Sequence, residues 1–236
     1  YDNSSSNVSI PETILDKTVS GIDSFAFSKN TTITSVTMPN TVTKVGDSAF
    51  ADATNLLSAK LSENCTDVGI CLFQGCTSLK SVDLNSKITL INAQMFYKCS
   101  SIESIVIPDT VNKICNYAFS ECSSLKSVYI PSSVTEISRS AFRKTASVTI
   151  KGSYGSYAEK YAKANNIPFN GISAYDVGDV NMDGGINILD ATLIQKYVVG
   201  IVELSAEQKH LADYDNDGDI TVVDATEIQK FIVHLN

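Results

Sequence analysis

The densest chemistry in the chain lies in two twelve-residue stretches, Asp179 to Asp190 and Asp213 to Asp224, offset by 34 residues. Each places oxygen-bearing residues at positions 1, 3, 5, 7 and 12. In the first these are Asp179, Asn181, Asp183, Gly185 and Asp190; in the second, Asp213, Asp215, Asp217, Asp219 and Asp224. A hard divalent cation such as Ca²⁺ takes about six to eight oxygens, with position 7 of such a loop giving a backbone carbonyl. Gly184 and Gly218 stand at position 6, where the chain must turn sharply. Ile186 and Ile220 supply a paired apolar residue at position 8, and Asn187 and Thr221 at position 9 act directly or through water. Two structural Ca²⁺ ions are therefore expected.

Position 12 is Asp, one methylene shorter than the Glu of an EF-hand, so the helix that follows must lie closer to the ion. No helix is expected before the first loop, because Asp176 and Gly178 adjoin it. Each unit is then a loop followed by one helix. The segments GDVNMDGGINILDATLIQKYVVG and ADYDNDGDITVVDATEIQKFIVH resemble type I dockerins, and the resemblance covers 176–236. It implies a cohesin module of a scaffoldin as partner, contacted by the helices after the loops. The matching residues are Ile188, Leu189, Thr192, Gln195 and Lys196 in one half and Val222, Val223, Thr226, Gln229 and Lys230 in the other. Ala191, Ile194, Ala225 and Ile228 belong to the same matched stretches. Positions 10 and 11, which choose the partner in this family, are apolar here where some relatives carry Ser-Thr, implying a hydrophobic anchor. The near-identity of the halves implies two binding orientations related by a pseudo-two-fold. Leu193, Ile194, Tyr197, Phe231 and Ile232 are expected in the core.

Charge agrees with this reading. Of the net −8, residues 1–175 carry 14 acidic and 15 basic side chains, while 176–236 carry 12 acidic and 3 basic. That −9 load repels itself unless a counter-charge is supplied, and two Ca²⁺ would bring it to −5. The module is therefore expected to fold poorly without metal. The second loop, with five acidic residues against three, is expected to bind more tightly.

What carries this module is repetitive. Phe27, Phe50, Phe73, Phe96, Phe119 and Phe142 recur every 23 residues without a slip. Val45, Val68, Ile91, Ile114 and Ile137 form a second column, and Met38, Leu61, Leu84, Ile107 and Ile130 a third. Leu56, Leu79, Ile102 and Leu125 form a fourth. A coil this short cannot bury its apolar side alone, so stacked coils sharing one core are implied. Within a coil, Leu79 to Leu84 alternates as a short strand with Val82 and Leu84 inward. Pro39, Pro108 and Pro131 mark where strands end. A short helical turn is expected around Ala49-Phe50, Ala118-Phe119 and Ala141-Phe142.

The text IPDTVNKICNYAFSECSSLKSVYIP, followed by IPSSVTEISRSAF, resembles the leucine-rich repeats of bacterial surface antigens (BspA-like), over roughly residues 8–170. The first repeat, Ile10 to Phe27, is longer and holds Asp16 and Lys17. Val148-Thr149-Ile150 is shifted from the strand register. Tyr154 to Ala162 begins a helix whose Tyr157 and Tyr161 share one face, expected to seal the open end of the core. The expected fold is an α/β leucine-rich-repeat solenoid with short parallel strands (1–170), a linker (171–175) and a small all-α two-calcium dockerin domain (176–236).

Cys76, Cys99 and Cys122 share a column with Ala53 and Thr145, and Cys65 shares one with Val42, Ile88, Val111 and Val134. These read as reduced, small core residues rather than bridges. Cys71 and Cys115 fall in polar columns and are expected to be partly exposed. The candidate recognition face is the strand surface, with an all-serine column (Ser35, Ser58, Ser81, Ser104, Ser127) beside a mixed one (Thr37, Lys60, Asp83, Val106, Tyr129). No stripe of aromatics marks a sugar platform there.

Chemistry of other kinds is sparse. Only His210 and His234 are present, Trp is absent, and no zinc spacing, phosphate loop or HExxH occurs. No catalytic residue is assigned. No basic patch points to nucleic acid, and no apolar run reaches the ~18 residues of a membrane span. Tyr1 to Ser6 contains neither Met nor a signal segment, which fits a mature or trimmed chain. The leading expectation is a non-catalytic, secreted cellulosome component of an anaerobic bacterium engaged in polysaccharide degradation. Its repeats would bind an unknown protein or glycan. The alternatives are a cell-surface adhesion protein anchored through its dockerin, and a trimmed fragment of a dockerin-bearing enzyme such as a peptidase.

Overall fold

The computed structural model describes residues 6–234. Residues 1–5 and 235–236 of the two expected spans, with the start at Tyr1, lie outside the described residues, as does the side chain of His234. The chain forms two compact units, residues 1–152 with 156–170, and 153–155 with 171–236.

The first unit is a solenoid of parallel coils. Three-residue strands Ser35–Thr37, Ser58–Lys60 and Ser81–Asp83 pair in parallel, Ser35 opposite Ser58 and Ser58 opposite Ser81. The row continues with Ser104–Val106 and Ser127–Tyr129, also paired in parallel. Each coil has a second strand that the alternation in Leu79–Leu84 did not reveal. Gly21–Ile22, Lys44–Val45 and Asp67–Val68 form one such sheet, and Leu90–Ile91, Lys113–Ile114 and Glu136–Ile137 another. The column Val45, Val68, Ile91, Ile114 and Ile137 thus points inward from these strands, and every member is buried.

The third side of each coil is not the expected helical turn. Two residues in each coil but the last, and one in the last, adopt the left-handed conformation, which interrupts any helix. One column is Phe25, Ser48, Cys71, Gln94 and Tyr117; the other is Lys29, Asp52, Gly75, Lys98, Glu121 and Lys144. The N–H groups between them therefore point along the solenoid instead of along a helix axis. Phe50 donates to Leu72 O at 3.0 Å, Phe73 to Met95 O at 2.9 Å and Phe96 to Ala118 O at 2.9 Å. The turn side is a third hydrogen-bonded ladder between coils.

Inside it the six phenylalanines stack face to face. Successive ring centroids lie 5.2 to 5.8 Å apart with interplanar angles of 4° to 21°. That spacing is a little wider than the ~4.8 Å between strands, so the rings stay in contact as coils are added. Burial of each ring stabilises by about 1.5–3 kcal/mol.

All six cysteines are free thiols. Cys65, Cys76, Cys99 and Cys122 are buried, and Cys71 and Cys115 are partly exposed. In four coils the slot three residues after the Phe holds a thiol or hydroxyl donor, whereas Ala53 fills it with none. Cys76, Cys99 and Cys122 direct their thiols at the carbonyls of Phe50, Phe73 and Phe96, at 3.0, 3.1 and 3.0 Å. Thr145 does the same to Phe119 O through its hydroxyl, at 2.6 Å. A side-chain donor there gives the carbonyl a second partner.

The last coil is shifted as expected. Thr149 pairs with Ser127 and Ile150 with Val128, an offset of 22 instead of 23. The helix α1 (Tyr157–Ala164) starts at Ser156, whose side chain accepts from Glu159 N, and it covers the end of the core. Only one of the two tyrosines does so: Tyr161 is buried and lies 6.1 Å from the Phe142 ring, whereas Tyr157 is exposed. The expected linker is partly structured too, since Gly171 and Ile172 end the strand Phe169–Ile172.

The second unit is helical, with α2 (Ile188–Val198), α3 (Ala206–Ala212) and α4 (Val222–His234). Its core is Val180, Ala191, Ile194, Leu204, Ala212, Ala225 and Ile228, with Ile186 and Ile220 packed against it. The loop-plus-one-helix reading missed α3, so the second loop is preceded by a helix. Its signal was present in Ser205 and Gln208, which form a capping box.

Candidate metal loops and docking surface

The two acidic loops fold in the same way. Left-handed residues occur at Met182 and Asn216, and Gly184 and Gly218 have φ of 94° and 96°. Those glycines make the sharp turn that the sequence assigned to position 6. In the first loop Asp179, 2% exposed, accepts from Asp183 N at 3.1 Å and Gly184 N at 2.9 Å. In the second, Asp213 accepts from Asp217 N and Gly218 N, both at 3.1 Å. The position 12 carboxylates are fully buried. Asp190 accepts from Asn181 N at 2.9 Å and Asn187 N at 2.8 Å. Asp224 accepts from Tyr214 N and Thr221 N, both at 2.8 Å, and from Asp215 N at 3.3 Å. Asp190 thereby closes the capping box that starts α2.

The intermediate ligand positions complete each loop. Asn181 and Asp183 are joined at 2.9 Å, and Asp183 accepts from Gly185 N at 3.1 Å. The Gly185 carbonyl accepts from the Asn187 side chain at 2.9 Å. Asp215 and Asp217 accept from Asp217 N and Asp219 N. In the second loop, carboxylate oxygens of Asp213, Asp215 and Asp224 lie within 4.8 Å of one another. No Lys or Arg side chain pairs with the loop carboxylates among the described residues. Loss of solvation and the neighbouring Asp217, Asp224 and Asp213 raise the Asp215 pKa. Converging, uncompensated carboxylates in the second loop fit a divalent cation such as Ca²⁺, and the backbone N–H groups alone leave their charge in place; the first loop offers the same hard-oxygen donors, but its Asp179, Asp183 and Asp190 do not converge in the same way.

The helix residues sort sharply by burial. Ile188 and Leu189 are 54% and 60% exposed, and Val222 and Val223 are 56% and 49% exposed. They form apolar starts to α2 and α4. Thr192 and Thr226 are held against their own helices, each donating to the carbonyl four residues earlier, Ile188 O and Val222 O, at 2.8 Å. Gln195 and Lys196 are exposed and Gln229 is half-buried. Lys230 is exposed and pairs with Glu227 at 2.7 Å. Ala191, Ile194, Ala225 and Ile228 are fully buried, so they hold α2 on α4 and present no contact surface. Conversely Phe231, expected in the core, is 36% exposed, with its ring 6.3 Å from that of Tyr214. Val198, Val199 and Ile201 are further exposed apolar residues that the helix pattern did not single out.

On the solenoid, the strand face is solvated. Its serine column is half-buried or exposed, and Thr37, Lys60, Asp83 and Val106 are exposed beside it. Among the described residues, no helix is long and apolar enough to cross a membrane.

Fold and loops together define a leucine-rich-repeat solenoid joined to a small helical domain with paired acidic loops. The BspA type leucine rich repeat region model matches residues 1–112 and 48–162, and the chain belongs to that family. The dockerin type I domain model matches residues 177–233. Neither repeats of this kind nor dockerins are catalytic domains. A comparison with curated proteins gives no match. Among solved structures, a leucine rich cell surface protein from Faecalibacterium prausnitzii is 28% identical with a TM-score of 0.50, over 60% of this chain. This chain spans 33% of that protein's length. The T. pallidum leucine rich repeat protein is 22% identical with a TM-score of 0.61, covering 72% of this chain and 87% of that one. The latter likeness is one of fold.

Proposed function

We propose that the protein is a non-catalytic, secreted component of a polysaccharide-degrading assembly of the cellulosome type. In this reading its helical domain, folded around two Ca²⁺, docks onto a cohesin module of a scaffoldin. The repeats meanwhile recognise a protein or glycan. The observation that carries the docking reading is the paired exposure of Ile188-Leu189 and Val222-Val223. Apolar residues at equivalent sites on two helices are left outside the core, whereas their helical neighbours Ala191, Ile194, Ala225 and Ile228 are within it. Exposed apolar anchors of this kind favour burial against a partner. Two equivalent anchors also support docking in either of two orientations.

Titration of the full chain with a panel of cohesin modules, with Ca²⁺ and with EGTA, tests this. Binding is expected with Ca²⁺ alone. I188A/L189A or V222A/V223A should each leave binding in place through the other half, and the fourfold variant should abolish it. Retention of binding by the fourfold variant refutes the anchor, and calcium-independent binding refutes the metal-dependent surface. A second reading, attachment of an adhesion protein at the cell surface, is favoured by the likeness to the F. prausnitzii cell surface protein. It uses the same docking step.

A further inference from the structure

The chain has only two arginines, Arg139 and Arg143; every other member of its 18 Lys and Arg is lysine. Both arginines line one open cleft of about 620 Å³ at the C-terminal end of the solenoid. The cleft lies between the turn of the last coil and the segment following α1, all within the first unit. Its rim also carries Lys144, Tyr117, Ser138, Ser140, Asn165 and Asn166, and buried Phe142 and Tyr161 contribute to its lining. No Asp or Glu lines it.

Five lysines of the solenoid are paired with an acid of the adjacent coil, in Lys44–Asp67, Lys60–Asp83, Lys113–Glu136, Glu103–Lys126 and Glu121–Lys144. The positions one coil before Arg139 and Arg143 are Asn116 and Ser120, both neutral. Neither arginine makes an ion pair among the described residues, and both are exposed. Two unpaired guanidinium forks together suit a planar carboxylate, which Arg holds by two parallel N–H bonds and Lys does not. The surrounding hydroxyls, amides and tyrosine ring suit a hydroxylated ring. None of the lining residues belongs to a strand, so there is no edge for a peptide to extend. The volume falls within the about 300–1,000 Å³ usual for small-molecule sites.

We infer that this cleft binds a carboxylate-bearing sugar, a uronic acid unit of a polysaccharide, with Arg139 and Arg143 gripping the carboxylate. The inference rests on the reading that the repeats recognise a ligand, and it is independent of docking. The test is calorimetric titration of the full chain in Ca²⁺, without cohesin. The probes are trigalacturonic acid, the neutral galactotriose, a hexaglutamate peptide and inorganic phosphate. Trigalacturonic acid is expected to bind at least about tenfold more tightly than the others, and R139K/R143K to weaken it by about tenfold while the melting temperature stays unchanged. Absence of trigalacturonate binding overturns the proposal. So does stronger binding of hexaglutamate, equal binding of galactotriose or phosphate, or full affinity in R139K/R143K. Equal binding by wild type and variant would remove this cleft while leaving recognition by the repeats standing. Failure of cohesin binding would leave the cleft untouched.

Discussion

At the scale of single residues, the buried carboxylates of the helical domain are structural before they are ligands. Asp224 is fully buried and satisfies three backbone N–H groups, those of Tyr214, Asp215 and Thr221. Asp217 is exposed and accepts from one, Asp219 N. Each removes one potential ion ligand when replaced, so the difference between them isolates the hydrogen bonds. A buried donor left without an acceptor costs roughly 1–3 kcal/mol. Asp224→Ala is therefore expected to destabilise the domain by at least about 2 kcal/mol more than Asp217→Ala, by urea unfolding in saturating Ca²⁺. Equal losses would mean that the N–H network contributes nothing beyond the ion. The role of each carboxylate was visible from its place in the loop. Its burial was not, because nothing in a loop sequence tells which oxygen faces inward.

At the scale of elements, the cysteine column makes a pH prediction. Burial pushes the thiols of Cys76 and Cys122 up to about 12 from 9.0, that of Cys65 to about 11, and that of Cys99 well above its ordinary value. The unfolded chain releases these protons from about pH 9, whereas the folded chain keeps them, so alkali favours unfolding. The stabilisation is complete below pH 9.0 and is lost as pH rises through the folded values of about 11 to 12. Solenoid stability in urea is expected to fall between these limits, and C76A/C99A/C122A to flatten the slope. A slope unchanged in that variant would assign the alkaline loss to other groups. The 23-residue period was legible because one Phe per coil faces the axis at constant spacing. The third ladder was not. Its left-handed positions are occupied by residues such as Phe25, Cys71, Tyr117 and Lys98, with Gly75 the lone glycine in those two columns. Hydrogen bonds between coils force that conformation where local sequence would not choose it. Phe231 was misplaced for a related reason. Helical spacing marks a face, and the packing of α2 on α4 decides how far along α4 that face stays covered.

At the scale of the whole molecule, the solenoid and the helical domain have separate hydrophobic cores, one built on the phenylalanine stack and one on Val180, Ile194 and Ile228. They also differ in charge, since residues 176–236 carry −9 and residues 1–175 carry +1. Residues 1–175 are close to neutral, with 14 acidic and 15 basic side chains, so the folding of the solenoid needs no ion to offset its charge. The helical domain buries Asp179, Asp190 and Asp224 without a cationic side chain among the described residues. A ligand that binds the folded state alone stabilises by RT ln(1 + [L]/Kd), about 2.7 kcal/mol at a hundred times Kd. Calorimetry of the full chain is therefore expected to resolve two transitions. The helical one should rise with Ca²⁺ and vanish in EGTA, together with part of the helical circular dichroism, while the solenoid transition stays fixed. The second loop, with five acidic residues against three, should fill first in a Ca²⁺ titration. Asp215→Asn would then lower the stronger of two affinities, and Asp183→Asn the weaker. A single transition that ignores EGTA would refute the division of labour between a metal-free scaffold and a metal-dependent dock. Two transitions that both move with Ca²⁺ would place an ion in the solenoid, where no acidic cluster converges among the described residues.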